Sequence, residues 1–205
     1  MTSCGRSWPR YADGVVVNLG GGLDTQFYRV DNGRVLWFEI DLPESIGVRR
    51  EFFEETARHR TLACSALDFR WMEEIEGRSP VMFVAAGLLP YFPPDEVKRL
   101  VATLATRFPG SEMVFDTVSE WFSKLSLKGK AKIGEFILPP MPWGMNRNDL
   151  YQVESWHSGI EIVGRMDFTA GYRLRWGIIG IASALPFVAN KFHACTVHMR
   201  FKRQA

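Results

Sequence analysis

Cysteine is scarce in this chain, three in 205 residues. Cys4, Cys64 and Cys195 lie far apart, which argues against a disulfide framework and for a reducing, cytoplasmic setting. A surplus of one charge is also missing. Lys and Arg number 25 against 23 Asp and Glu, a net of +2, so no nucleic-acid or other polyanion surface is expected. Long apolar runs are absent too. The longest, Trp176 to Ala189, has 14 residues, short of the roughly 17–25 that a membrane-spanning helix needs. Arg173, Arg175 and Lys191 flank it, which suits a membrane interface, but Gly177, Gly180 and Pro186 interrupt it, and a buried helix broken at Pro186 is the preferred reading. Met1 to Gly14 holds two arginines and no apolar segment of a secretory leader. Neither a repeat nor a Gly/Ser linker divides the chain. What is present is ordinary for a folded domain: 46% apolar and 23% charged residues, in a length that suits one domain over 1–205.

Short apolar runs alternate with amphipathic stretches. Val15 to Leu19 reads as a buried strand that runs into three glycines, with a helix starting near Asp24. Val35 to Ile40 is a second strand, followed by a charged helix expected over Glu44 to His59 with Ile46, Phe53 and Ala57 near one face. Arg60 to Ser65 is a third strand, Phe69 to Ile75 a short helix, and Pro80 to Ala85 a fourth strand. Pro93-Pro94 and two acids then open a helix whose Val97, Leu100, Val101, Leu104 and Phe108 form one stripe. Glu112 to Phe115 is a fifth strand. Ile160 to Arg165 and Thr196 to Phe201 are late strands, expected to pair antiparallel at one edge. The successive strand–helix pairs predict an α/β fold with a mostly parallel sheet of about seven strands and helices on both faces. The Pro-, Met- and Trp-rich stretch within 120–150 reads as a lid or substrate-side insertion.

The glycine turn carries the chemistry. A strand that ends in Gly20-Gly21-Gly22 brings bare backbone close to a ligand, and in open α/β sheets nucleotide-like ligands sit at this first turn. Thr25 stands where a dinucleotide fingerprint needs its third glycine, and no Gly-Lys-Ser/Thr follows, so neither a nicotinamide site nor a P-loop fits. An adenosine ligand without phosphates, such as S-adenosylmethionine, fits better. Glu39 and Asp41, 17 and 19 residues after Gly22, are placed to accept from ribose hydroxyls. Asp68, beside the apolar Leu67 and Phe69, can accept from an adenine amino group or can cap the next helix.

Val17 to Arg29, Phe38 to Glu44, Ser65 to Phe69 and Ala86 to Pro94 together resemble, in order and spacing, four motifs of the leucine carboxyl methyltransferase family, which includes polyketide O-methyltransferases. His157 to Glu161 resembles the approach to that family's sixth strand. The resemblance implies a class I, S-adenosylmethionine-dependent methyltransferase fold. It implies that Gly20, Gly21 and Gly22 line the cofactor's methionine portion, that Asp24 helps hold its amino group, that Asp41 takes the ribose, and that Leu67 and Asp68 face the adenine. Ala86 stands beside the cofactor where the family usually has Glu. The family also has a longer helical segment before its first strand, carrying an arginine to which neither Arg6 nor Arg10 aligns. With 1–14 a short N-terminal segment, the lid is expected to be missing, reduced or supplied by another chain, and a homodimer covering the open site is the expected assembly.

The implied activity is O-methyl transfer to a carboxylate or hydroxyl of a small molecule. The alternative is a methyltransferase-fold binding or scaffold protein with weak or no activity, motivated by Ala86 and the short N-terminus. A carboxylate acceptor needs no base, whereas a hydroxyl benefits from one, and His157 is the candidate. Tyr91, Trp121 and Trp143 are candidates for lining an acceptor pocket. His193, Cys195 and His198 do not share one strand face, so no metal is expected.

Overall fold

The computed structural model describes residues 13–78, 80–168, 177, 185–192 and 194–203. Nine strands are described: β1 (Val15–Leu19), β2 (Leu36–Asp41), β3 (His59–Ala63), β4 (Val81–Ala85), β5 (Glu112–Thr117), β6 (Lys132–Ile133), β7 (Phe136–Ile137), β8 (Ile160–Asp167) and β9 (Cys195–Phe201). Between them lie helices α1 (Gln26–Val30), α2 (Pro43–Arg50), α3 (Pro94–Arg107), α4 (Glu120–Leu127) and α5 (Pro186–Phe192), with 3₁₀ segments at Phe69–Glu74, Leu89–Tyr91 and Leu150–Trp156.

Seven strands form one sheet in the order β3-β2-β1-β4-β5-β9-β8, and β6 pairs with β7 as a separate hairpin. β1 to β5 are parallel, while β9 runs antiparallel between β5 and β8. The late strands therefore pair antiparallel at one edge, as expected. The order reverses between β1 and β4, so the turns after both strands open onto one crevice, where ligands of such sheets sit.

Strands covered on both faces read as unbroken apolar runs. β1 and β4 are buried at all five positions each. One face carries Val17, Leu19, Phe83, Phe115 and Val197 under α3, whose Val97, Leu100, Val101 and Leu104 form the expected buried stripe. Acids Asp95 and Glu96 in its first turn and Arg107 in its last complement the helix dipole. The other face packs Val16, Trp37, Met82 and Val84 against Phe27 of α1.

Boundaries differ in one informative place. The helix expected over Glu44 to His59 stops at Arg50. Thr56 takes over the backbone: its N–H donates to the His59 carbonyl at 2.8 Å, and its Oγ1 accepts from His59 N–H at 2.9 Å. This turn launches β3 and competes with helix. Ile46 is buried, but Phe53 is only half-buried and Ala57 is exposed.

Residues 120–150 are anchored to the sheet. Ser123 Oγ donates to the Met141 carbonyl at 2.7 Å, Trp143 N–H to the Pro90 carbonyl at 3.2 Å, and Met145 N–H to the Val118 carbonyl at 2.8 Å. Most of the Trp176 to Ala189 run lies outside the described residues, and its described helix begins at Pro186. No helix among the described residues is long and apolar enough to cross a membrane.

Candidate functional site

β1 ends at Leu19, and the chain turns through Gly20 and Gly22 with φ of +67° and +48°. These are left-handed conformations that favour glycine. Gly20 N–H donates to the Ile40 carbonyl at 2.7 Å, which extends the β1–β2 ladder into the loop. A Cβ on Gly20 would lie 2.7 Å from Leu88 Cδ1, and one on Gly21 would lie 2.2 Å from Glu39 Oε2. Two sides of the loop are thus closed by protein. At Gly22 an added Cβ would meet nothing within 4 Å, so bare backbone faces open space there.

The floor under the loop is polar and heavily hydrogen-bonded, with Arg49 Nε and His59 Nδ1 left without a partner among the described residues. Glu39 and Arg49, each with a side chain only 1% exposed, pair at 2.8 Å. Glu39 also accepts from Asn18 Nδ2 at 2.8 Å and Trp37 Nε1 at 2.9 Å. Arg49 Nη1 donates to the carbonyls of Gly22 at 2.7 Å and Asp24 at 3.0 Å. Further hydrogen bonds help a buried ion pair offset its desolvation. Here those bonds fix the glycine turn. Glu39 faces this brace and not the crevice, which leaves Asp41 as the acid at the end of β2.

Asp41 Oδ2 accepts from Gly22 N–H at 2.8 Å and Oδ1 from Leu42 N–H at 2.7 Å. Each carboxylate oxygen keeps a second acceptor site. Asp24 Oδ1 accepts from Gln26 N–H at 2.9 Å and Arg29 Nη2 at 3.3 Å. Asp68 caps the 3₁₀ segment by accepting from Arg70 N–H. Hydrogen bonds from the Arg70 side chain, then from its backbone, hold the Asp68 carboxyl down at about 2. Leu67 is half-buried against the core beside it.

Ala86 follows β4 and is exposed. The next residue, Gly87, donates its N–H to Asp116 Oδ1 at 2.7 Å. Asp116 sits near the end of β5, and burial raises its pKa against the opposing backbone hydrogen bonds. This carboxyl beside the Ala86 loop was not among the sequence candidates. Its signal was a lone acid closing the apolar run Met113 to Phe115. Arg49, the other unforeseen member, gave no pattern signal, because a basic residue in a charged helix reads as solvated.

The remaining candidates scatter. Tyr91 follows the Ala86 loop and is 39% exposed, and Trp121 lies on α4 at 43%. Trp143 is buried and packs on Phe115 with ring centroids 6.0 Å apart, so it is a core residue first. His157 is misplaced as a base. It precedes the start of β8, which registers through β9 with the start of β5, so it stands at the opposite end of the strands from the glycine loop, about 20 Å along a strand of six residues and four strands across from β1. Its Nδ1 accepts from Gly159 N–H at 3.0 Å. Among the metal candidates His193 lies outside the described residues. His198 Nε2 pairs with Glu112 Oε2 at 2.8 Å. Cys195 is buried, which pushes its thiol up to about 11. No group of three or more His, Cys, Asp or Glu able to hold a metal occurs among the described residues.

Residues 10–105 match the family model described as leucine carboxyl methyltransferase. The tetracenomycin polyketide synthesis O-methyltransferase TcmP of Streptomyces glaucescens is 29% identical over 126 residues, which is 60% of this chain and 47% of that protein. The chain spans less than half the length of the curated relatives it matches. Among solved structures, a SAM-dependent methyltransferase from Anabaena variabilis superposes with a TM-score of 0.61 at 12% identity, over 97% of this chain and 83% of that one. PKMT2 from Rickettsia typhi, in complex with AdoHcy, gives 0.63 at 8% identity, over 95% of this chain and 50% of that one. At these identities the likeness shows the fold, that of the class I methyltransferases.

Proposed function

From the match of residues 10–105 to the leucine carboxyl methyltransferase model, we propose that this chain binds S-adenosylmethionine at the glycine loop and transfers its methyl group to an oxygen of a small molecule. The observation that carries the reading is the 2.8 Å bond from Gly22 N–H to Asp41. It fixes beside the open face of the loop a carboxylate with acceptor capacity to spare, which suits the two hydroxyls of a ribose.

In this reading Gly20, Gly21 and Gly22 pass along the methionine portion, Asp24 faces its amino group, and Asp41 takes the two ribose hydroxyls. Leu67 and Asp68 border the adenine. When bound, S-adenosylmethionine supplies a methyl on a sulfonium: the acceptor oxygen forms the new C–O bond as the C–S bond breaks and its electron pair returns to sulfur. The chain's own contribution is to hold the two reactants in line, an effect that can reach roughly 7–11 kcal/mol in well-oriented systems. Arg49 keeps the loop carbonyls fixed from below, and residues 120–150, with Tyr91 and Trp121, border the acceptor side. Ala86 stands where the resembled family has Glu. Asp116, bonded to the adjacent Gly87, brings a carboxyl to the same loop.

Thermal-shift titration with S-adenosylmethionine tests this. At about 100 times the dissociation constant the ligand should add roughly 2.7 kcal/mol to wild-type stability, and Asp41→Ala should lose most of that gain. Equal shifts in both proteins refute the ribose assignment, and no shift in either refutes the cofactor. A binding protein without activity, the reading Ala86 favours, instead predicts a normal shift with no methyl transferred to any acceptor.

A further inference from the structure

The β6–β7 hairpin follows α4 and leaves its apolar side chains in solvent. Ile133 pairs with Phe136 and Lys132 with Ile137, so Ile133 and Phe136 share one face of the hairpin and Lys132 and Ile137 the other. Ile133 is 69% exposed, Phe136 64% and Ile137 52%. The turn is Gly134-Glu135, with Gly134 at φ +59°, the glycine-first form of a two-residue hairpin loop. The base is fixed to α4. Lys130 N–H donates to the Leu125 carbonyl at 3.1 Å, Leu138 N–H to the Ala131 carbonyl at 2.9 Å, and Met141 N–H to Ser126 Oγ at 2.8 Å.

Positive charge collects at the same base. From Lys124 to Lys132 the chain carries four lysines and no acid, against a net of +2 for all 205 residues. Lys124 is paired with Glu120 at 3.2 Å. Lys128, Lys130 and Lys132 are exposed and make no ion pair among the described residues. Ala131 is buried, so alternation along the extended chain turns Lys130 and Lys132 outward. The nearly neutral whole thus conceals a local basic surface.

An apolar tip above a lysine collar restricts what covers it. A groove on another protein takes one face of a strand pair, but here both faces carry exposed apolar side chains. A two-fold contact with a second copy would turn the same three lysines of each chain toward one another. A bilayer takes an apolar protrusion from all sides, and anionic headgroups supply the charge the lysines lack. A second exposed apolar pair, Leu185 and Phe187, lies at the start of α5, which packs against α4. Glu135 at the turn opposes entry, which limits the tip to the boundary between headgroups and acyl chains.

We propose that the β6–β7 hairpin docks this chain on bilayers of anionic lipid, with Ile133, Phe136 and Ile137 entering the headgroup–acyl boundary and Lys128, Lys130 and Lys132 meeting lipid phosphates. The proposal goes beyond the methyltransferase reading and does not depend on it.

Co-sedimentation of the full chain with extruded vesicles tests it, one set of phosphatidylcholine alone and one of phosphatidylcholine with phosphatidylglycerol at two to one. The wild type should bind the mixed vesicles about tenfold or more tighter than the neutral ones, and raised salt should narrow the gap. Ile133→Ser/Phe136→Ser should weaken binding to mixed vesicles about tenfold or more. Lys128→Gln/Lys130→Gln/Lys132→Gln should bind both vesicle types alike. Glu135→Gln should bind mixed vesicles more tightly than the wild type. All of these side chains are exposed, so each variant should keep the wild-type urea midpoint. Absence of binding to mixed vesicles, equal wild-type binding to both sets, or an Ile133→Ser/Phe136→Ser variant that binds like the wild type would overturn the assignment. A dimer in sedimentation velocity that this variant dissociates, without vesicle binding, overturns it in favour of a second copy. Vesicle binding without S-adenosylmethionine binding supports the docking surface and overturns the methyltransferase reading; the reverse pattern overturns the docking surface alone.

Discussion

Replacing Arg49 with Met tests whether the buried brace holds the glycine loop. Arg49 and Glu39 are each 1% exposed and 2.8 Å apart, and Arg49 is bonded to two loop carbonyls. Met fills similar volume, so the cost comes from polar groups left behind. Removing one partner of a buried pair costs about 3–5 kcal/mol, because the other charge stays buried. Glu39 keeps Asn18 and Trp37 as donors, which places the expected loss at the lower end, about 3 kcal/mol. In a chain of this size that corresponds to a fall in Tm of about 6–12 °C. The double variant Glu39→Gln/Arg49→Met removes the orphaned charge and should recover a third or more of the loss. Urea unfolding at neutral pH, read as the midpoint at constant slope, measures both. S-adenosylmethionine affinity should fall in the single variant and stay low in the double one, since both leave the carbonyls of Gly22 and Asp24 without their donor. A single variant within 1 kcal/mol of the wild type, or a double variant no more stable than the single, would refute the brace.

Other outcomes follow from named groups. Asp116 has its pKa raised from 3.8, chiefly by burial, so in the folded chain it keeps its proton to higher pH than in the unfolded chain. Its contribution to stability therefore falls as pH rises from about 3.8 through the raised value. Asp116→Asn should accordingly gain stability relative to the wild type across that window and hold the gain above it, while methyl transfer falls; thermal denaturation across a pH series reads the first and turnover the second. Gly21→Ala would push a Cβ to 2.2 Å from Glu39 Oε2 and should cost about 1–3 kcal/mol as overpacking does. Gly22→Ala meets open space but keeps φ at +48°, so about 1–2 kcal/mol of left-handed strain should come with a larger loss of S-adenosylmethionine affinity than of stability. Cys195, buried and with its thiol raised to about 11, should resist alkylation at pH 8 in the native chain and react on unfolding, as mapped by mass spectrometry.

How much of this was legible in the sequence depends on how local each signal is. β1, β4 and the α3 stripe were legible because burial on both faces, or on one stripe, writes itself as consecutive or periodic apolar residues. The turn at Gly20 to Gly22 was legible because positive φ selects glycine at fixed positions after a strand. The approach of Asp41 to the loop was legible from its distance along the chain, since the end of β2 lies beside the end of β1 in any parallel pair. Other members were not legible, because their meaning comes from partners far away in the chain. Glu39 and Asp41 look alike on paper and share one face of β2, yet Glu39 lies inside the strand, buried against Arg49, while Asp41 at the strand's end reaches the loop. Asp116 gains its neighbour Gly87 from 29 residues away. His157 shows the converse. Its polar surroundings suited a base, but the direction of β8 carries it to the opposite end of the strands, and a residue's end of a strand is set by topology, which local composition does not encode. The Arg147–Arg165–Asp167 cluster belongs to the same class. Arg165 and Asp167 share one face of β8, and the third charge, Arg147, reaches them from a loop 18 residues before Arg165. A turn written on consecutive residues is legible in sequence; a cluster whose members lie far apart along the chain becomes visible only once the fold brings them together.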